Sequence, residues 1–284
     1  RTAKIWDRST GECKKTLAGH GGTVMSAVFS ADGSHILTAS GDRTAKIWDS
    51  STGECTKTLT GHGNAVCTAA YSPDGSQILT GSPDRTAKIC DSSKGECTQT
   101  LTGHGDQVNS AVYSADGSQI LTASYDRTAK VWDCSTGECK KTLTGHRNPL
   151  WSAVFSADGS QIITASGDRT AKIWDSSTDV CKKTLTGHGA AVRSAVYSAD
   201  GSQILTASWD RTAKMWDSST GECTQTLTGQ GNTVWSAVYS PDGSQIITTS
   251  ADRTAKIWDR STGECKKTLA GHGGTVMSAV FSAD

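Results

Sequence analysis

The sequence predicts an all-β chain assembled from four-stranded antiparallel units, and three observations carry that expectation. A 42-residue unit starts at residues 1, 43, 85, 127, 169, 211 and 253, with the last copy stopping after 32 residues. Within each unit apolar and polar residues alternate over short runs, a period of two that belongs to half-buried strands and not to helices. The runs are separated by Gly-, Asp-, Ser- and Thr-rich segments that form turns. A period of this length marks a solenoid, a propeller or an array of small units, since one such unit cannot bury its own faces.

Each element of the first complete unit follows from its residues. The run TVMSAVFS at 23–30 alternates polar and apolar side chains and predicts a first strand. ADGS at 31–34 ends it with an Asp-Gly pair, which turns readily. A second strand is expected at 35–40 (HILTAS), a third at 43–49 (RTAKIWD) and, after STGE, a fourth at 55–60 (CTKTLT). The third-strand heptad returns unchanged at 1–7, 169–175 and 253–259, and nearly so in the other copies.

A Gly-His pair before one strand (Gly19-His20) and a Trp-Asp pair closing another (Trp48-Asp49) recur with this period. In these residues the chain resembles the WD-repeat β-propeller family along its whole length. The resemblance implies a single domain over residues 1–284, a seven-bladed β-propeller of four-stranded antiparallel blades, each running from an innermost to an outermost strand. The sequence holds seven innermost, seven Trp-Asp and seven outermost strand segments but only six of the second type. The closing blade is therefore expected to be composite and to lack one strand, with an innermost strand at 275–282 meeting strands at 2–7 and 13–18.

Composition narrows the function classes. Lys plus Arg balance Asp plus Glu, 28 against 28, so no net field draws the chain to nucleic acid or to an anionic membrane. No apolar stretch reaches the length of a membrane span, and the first residues lack a signal-peptide pattern. Opening on Arg1, inside a repeat, reads as a piece of a longer protein or array. Of 10 cysteines, seven recur once per unit: Cys13, Cys55, Cys97, Cys139, Cys181, Cys223 and Cys265. Equivalent positions one unit apart are too distant for disulfide geometry, so these are expected to be small buried hydrophobes. Without a Cys-x-x-Cys pair no zinc site is expected, and the cysteines suit a reducing, intracellular and cytoplasmic setting.

A His, a Ser, an Asp and a Trp recur at fixed spacing: His20, Ser40, Asp42, Trp48; His104, Ser124, Asp126, Trp132; His146, Ser166, Asp168, Trp174; His188, Ser208, Asp210, Trp216. Serine, histidine and aspartate invite a hydrolase reading. The resemblance implies instead a structural tetrad locking each blade, and an indole N–H, which only donates, would find its acceptor in Ser or His. Two sets are broken: Cys90 stands for Trp after His62, Ser82 and Asp84, and Gln230 stands for His before Ser250, Asp252 and Trp258. No phosphate-loop, zinc-protease or nucleophile-elbow motif occurs. No catalytic residue, cofactor or metal is expected.

The copies differ from one another mainly at four positions per unit. Three lie after the Gly-His, where Asp106, Gln107 and Asn109 correspond to Asn148, Pro149 and Trp151, to Ala190, Ala191 and Arg193, and to Asn232, Thr233 and Trp235. The fourth precedes the tetrad Asp and reads Gly41, Pro83, Tyr125, Gly167, Trp209 and Ala251. Drift at exposed sites would also scatter over STGE and ADGS, which stay nearly fixed. By the resemblance all four face the upper rim, where such proteins bind partners. The expected function is a non-enzymatic scaffold, a monomeric propeller or part of a longer array. A protein or peptide would be held on an exposed surface of Tyr125, Trp151, Trp209, Trp235, Arg193, Asn109, Asp106 and Gln107. Two alternatives remain open: a ligand-sensing repeat region of a larger signalling or immunity-type protein, and an amplified repeat scaffold with no evolved ligand.

Overall fold

The computed structural model describes residues 1–282. Among them there is no helix, and the strands form six four-stranded antiparallel β-propeller blades and one two-stranded sheet. The first blade is Val24–Phe29, His35–Ser40, Ala45–Asp49 and Cys55–Leu59, and the second is Thr68–Tyr71, Gln77–Gly81, Ala87–Asp91 and Cys97–Leu101. The third is Val108–Tyr113, Gln119–Ser124, Ala129–Asp133 and Cys139–Leu143, and the fourth is Leu150–Phe155, Gln161–Ser166, Ala171–Asp175 and Cys181–Leu185. The fifth is Val192–Tyr197, Gln203–Ser208, Ala213–Asp217 and Cys223–Leu227, and the sixth is Val234–Tyr239, Gln245–Ser250, Ala255–Asp259 and Cys265–Leu269. Thr2–Trp6 pairs with Cys13–Ala18. By packing, the chain forms two compact units, one chiefly Arg1–Asp126 and Val131–Lys140, the other Arg127–Lys130 and Lys141–Phe281.

Burial explains why the unit needs neighbours. Second strands such as Ile36–Ser40 are buried on both faces, whereas fourth strands such as Cys55–Leu59 are largely exposed. Core clusters draw on successive sheets. Leu205, Ala207, Ala213, Met215 and Leu227 of the fifth blade pack with Val234, Ala237, Ile246 and Trp258 of the sixth. The fourth and fifth blades share the equivalent cluster, which includes Ile163, Leu185, Val192 and Trp216. A fully buried Leu or Ile contributes roughly 1.5–3 kcal/mol, and a lone blade would forfeit that on both faces. Fourth-strand lysines clasp the next blade at its rim: Lys57 Nζ donates to Ser92 O at 3.1 Å and Lys183 Nζ to Ser218 O at 3.3 Å.

The turn between the second and third strands carries an unusual backbone. Arg43, Arg85, Arg127, Arg169, Arg211 and Arg253 all have φ between 71° and 73°, the left-handed region where a side chain costs about 1–2 kcal/mol relative to glycine. Their side chains are exposed.

Two expectations need correction. The blade count is six complete blades, not seven. The segment at 275–282 is not a strand; Val276 is buried and its N–H donates to Ser250 O at 3.1 Å, but no ladder forms. Within a blade the order is first, second, third, fourth, so without a second strand a first strand cannot reach a third. The periodic cysteines are also not buried: Cys13, Cys55, Cys139, Cys181, Cys223 and Cys265 are exposed. They open the fourth strand, which lies at the edge of each sheet and whose first two residues are exposed.

Candidate functional site

Each complete tetrad is a relay of hydrogen bonds around a threonine. In the first blade Trp48 Nε1 donates to Thr38 Oγ1 at 2.7 Å, His20 Nε2 lies 2.7 Å from the same oxygen, and His20 Nδ1 lies 2.8 Å from Asp42 Oδ2. The indole can only donate, and a carboxylate can only accept. A neutral imidazole therefore gives its Nδ1–H to Asp42 and accepts the Thr38 hydroxyl proton at Nε2. Thr122, Thr164 and Thr206 bridge His104 to Trp132, His146 to Trp174 and His188 to Trp216 in the same way. Burial pulls the pKa of His20, His62 and His188 below the ordinary value of 6.5, against the opposing pull of their Asp partners. Burial acts to raise Asp42, yet hydrogen bonds from Thr44, His20 and the Gly21 N–H hold its carboxyl below the usual range.

The bridging hydroxyl is thus threonine's, not serine's. Ser40 accepts the Asp42 N–H at 3.2 Å, and Ser124, Ser208 and Ser250 donate to the carbonyls of Asp106, Ala190 and Asn232. Serine ties two loops together and does not touch the imidazole, so no Ser-His-Asp relay exists in these sets. The missed residue left a signal: Thr38, Thr80, Thr122, Thr164, Thr206 and Thr248 recur in every second strand, a polar side chain in a run that is otherwise buried.

The four variable positions meet at the tetrad end of each blade. Backbone bonds join them: Tyr125 N–H to Gln107 O at 2.8 Å, Gly167 N–H to Pro149 O at 2.9 Å, Trp209 N–H to Ala191 O at 3.0 Å. In the unit holding the fourth to sixth blades, three of the aromatics pack together. Trp151 and Trp209 have ring centroids 5.7 Å apart, and Trp209 and Trp235 5.9 Å. The Arg193 guanidinium lies 4.2 Å from the Trp151 ring centroid and 5.0 Å from that of Trp235, a cation held between two aromatic faces. These indoles are half-buried, not exposed as expected, because they cover one another. In the other unit Tyr125 is exposed at 38%, and Asp106, Gln107 and Asn109 are half-buried beside it in sequence.

The family model of the WD domain, G-beta repeat (WD40), matches residues 11–49, 53–91, 95–133, 137–175, 179–217 and 221–259. The chain belongs to the WD40 family. A comparison with curated proteins returned no significant match. Each WD40 match opens in the turn before a fourth-type strand and ends on the Asp that closes a third.

Two WD40 repeats depart from the relay, each differently. In the second blade Cys90 takes the indole's place, 1% exposed, within the cluster that holds Leu37 and Ile78. The ladder sets each tetrad Trp opposite the periodic cysteine, as Trp48 faces Cys55 and Trp216 faces Cys223. Cys90 therefore faces Cys97, and the two form a disulfide, which joins a periodic cysteine to the one that replaces the indole. In the sixth blade the Gln230 amide donates to Thr248, leaving its Oε1 buried without a hydrogen-bond partner among the described residues. No group of three or more His, Cys, Asp and Glu is placed to hold a metal among the described residues.

Proposed function

We propose that this WD40 chain is a non-catalytic protein- or peptide-binding scaffold whose partner rests on the tetrad end of its blades, centred on Trp151, Arg193, Trp209 and Trp235. One observation carries the reading: side chains from the positions that differ most between repeats pack into one aromatic and cationic cluster. Large aromatics with an arginine, held on a rigid scaffold, are the composition of an interface anchor. Tyr125, Asp106, Gln107 and Asn109 occupy the same positions of the third blade and would serve in the same way. The non-catalytic reading is supported by the closed His–Thr–Trp relays, whose imidazoles are spent on buried partners.

The test is selection from a displayed library of random dodecapeptides on the immobilised protein. Enrichment is expected, and the enriched peptides should lose binding to Trp209→Ala/Trp235→Ala while the variant keeps a cooperative melt. The indoles are half-buried, so a stability loss of about 1–3 kcal/mol accompanies the change. Enriched peptides that bind wild type and variant alike would move the binding site elsewhere.

A further inference from the structure

We infer that the tetrad end of the fourth, fifth and sixth blades recognises an acidic peptide segment; the inference rests on the binding face proposed above and names the chemistry of its partner. Charge is distributed unequally between the two ends of these blades. The tetrad end carries five arginines: Arg147 in the loop before the first strand, Arg193 between the indoles, and Arg169, Arg211 and Arg253 in the turns after the second strand. Its carboxylates are three, and each is engaged within its own blade. Asp168 accepts from His146 and the Arg147 N–H, Asp210 from His188 and the Gly189 N–H, and Asp252 from the Gly231 N–H and Thr254. At the opposite end the turns hold nine acidic residues, three per blade (Asp158, Asp175 and Asp179 in the fourth), against Arg260 and the lysines that reach these turns, Lys182 on Asp175, Lys141 on Asp179, Lys266 on Asp259 and Lys183 on the Ser218 carbonyl.

The backbone sharpens the point. Arg169, Arg211 and Arg253 sit at φ of 71°, 72° and 72°, where glycine is relaxed and a side chain is not. Three exposed cations are thus kept at positions that the local fold would fill better with glycine. The indole N–H groups of Trp209 and Trp235 are buried and have no acceptor among the described residues, so the donors this end presents to a partner are the exposed guanidinium groups. Guanidinium groups ask for acceptor oxygens, which carboxylate side chains supply in charged and often bidentate form. The aromatic floor supplies contact area for the apolar part of such a segment.

The left-handed turn also supplies a clean test. Arg169→Gly/Arg211→Gly/Arg253→Gly removes three charges at positions where glycine relieves backbone strain, so the variant is expected to melt no lower than wild type. Fluorescence anisotropy would compare a labelled dodecapeptide carrying one Trp and five Glu with its counterpart in which every Glu is Gln. The Glu peptide is expected to bind wild type about tenfold tighter at low salt, with the advantage shrinking as ionic strength rises and lost in the triple-glycine variant. Equal binding of the two peptides, abolished by Trp209→Ala/Trp235→Ala, overturns the acidic preference and leaves the binding face standing. Glu-peptide binding that survives both variants, or no binding of either peptide by wild type together with neutral or basic sequences selected from the random library, also overturns it.

Discussion

At the scale of single residues the hydroxyl of the second-strand threonine is the atom that joins the indole to the imidazole. Thr206 takes the Trp216 N–H and faces His188 Nε2, so Thr206→Val would strand two buried polar groups at once. The expected loss is about 2–4 kcal/mol by urea denaturation, and Thr206→Ser should lose much less; equal losses would mean that the methyl, not the hydroxyl, holds the site. The imidazoles add a dependence on pH. Folded His20, His62 and His188 bind a proton less readily than the ordinary value of 6.5 implies. The unfolded chain therefore takes up protons below pH 6.5 that the folded chain refuses, and stability that is complete above that pH falls as the pH drops through it. The carboxyls of Asp42, Asp84, Asp168, Asp210 and Asp252, depressed in the fold, add stability that holds above their ordinary value of 3.8 and goes below it. The melting temperature should fall from pH 7.5 to pH 5, and fall less in His188→Gln; a flat profile would contradict the neutral relay. Of this site the Trp, His and Asp were legible from spacing. The threonine was not, because in an alternating run a polar residue reads as solvent-facing until burial on both faces is known.

At the scale of the blade, two substitutions make the second blade the odd one. Pro83 has no N–H to give to the preceding loop, and the first strand there shortens to Thr68–Tyr71. Cys90 removes the indole, and Gly61, whose equivalent Gly19 lies against the Trp48 ring, has open space around it. The disulfide to Cys97 takes over part of the lost role by fixing the third strand to the fourth. Closing so short a loop contributes roughly 2–3 kcal/mol, so a dithiol should lower the melting temperature of wild type and leave Cys97→Ser unchanged. Should full reduction, checked by mass, leave the wild-type melt where it was, the disulfide has no part in stability. The strands themselves were readable to within a residue or two, since turn chemistry and period agree. The exposure of the periodic cysteines was not, because it follows from which strand ends the sheet, and strand order is a matter of pairing, not of composition.

At the scale of the whole chain, the repeat was legible and the blade count was not. Counting strand segments gives the inventory of a seventh blade, but a sheet exists only where ladders connect, and the one missing second strand separates its neighbours on either side. The same arithmetic of small differences governs the joints between blades. Lys15, Lys57, Lys141 and Lys183 each reach across to a carbonyl of the following turn. The second and fifth blades carry Gln99 and Gln225 at that place, and after the fifth blade the contact is made from the other side, where Arg260 donates to Gln203 and stacks on Tyr239. A stack of near-copies is therefore not uniform along its length. When thermal breathing parts neighbouring layers, the fissure has preferred places to start, and near-identical sequence still yields a molecule with a defined order of coming undone.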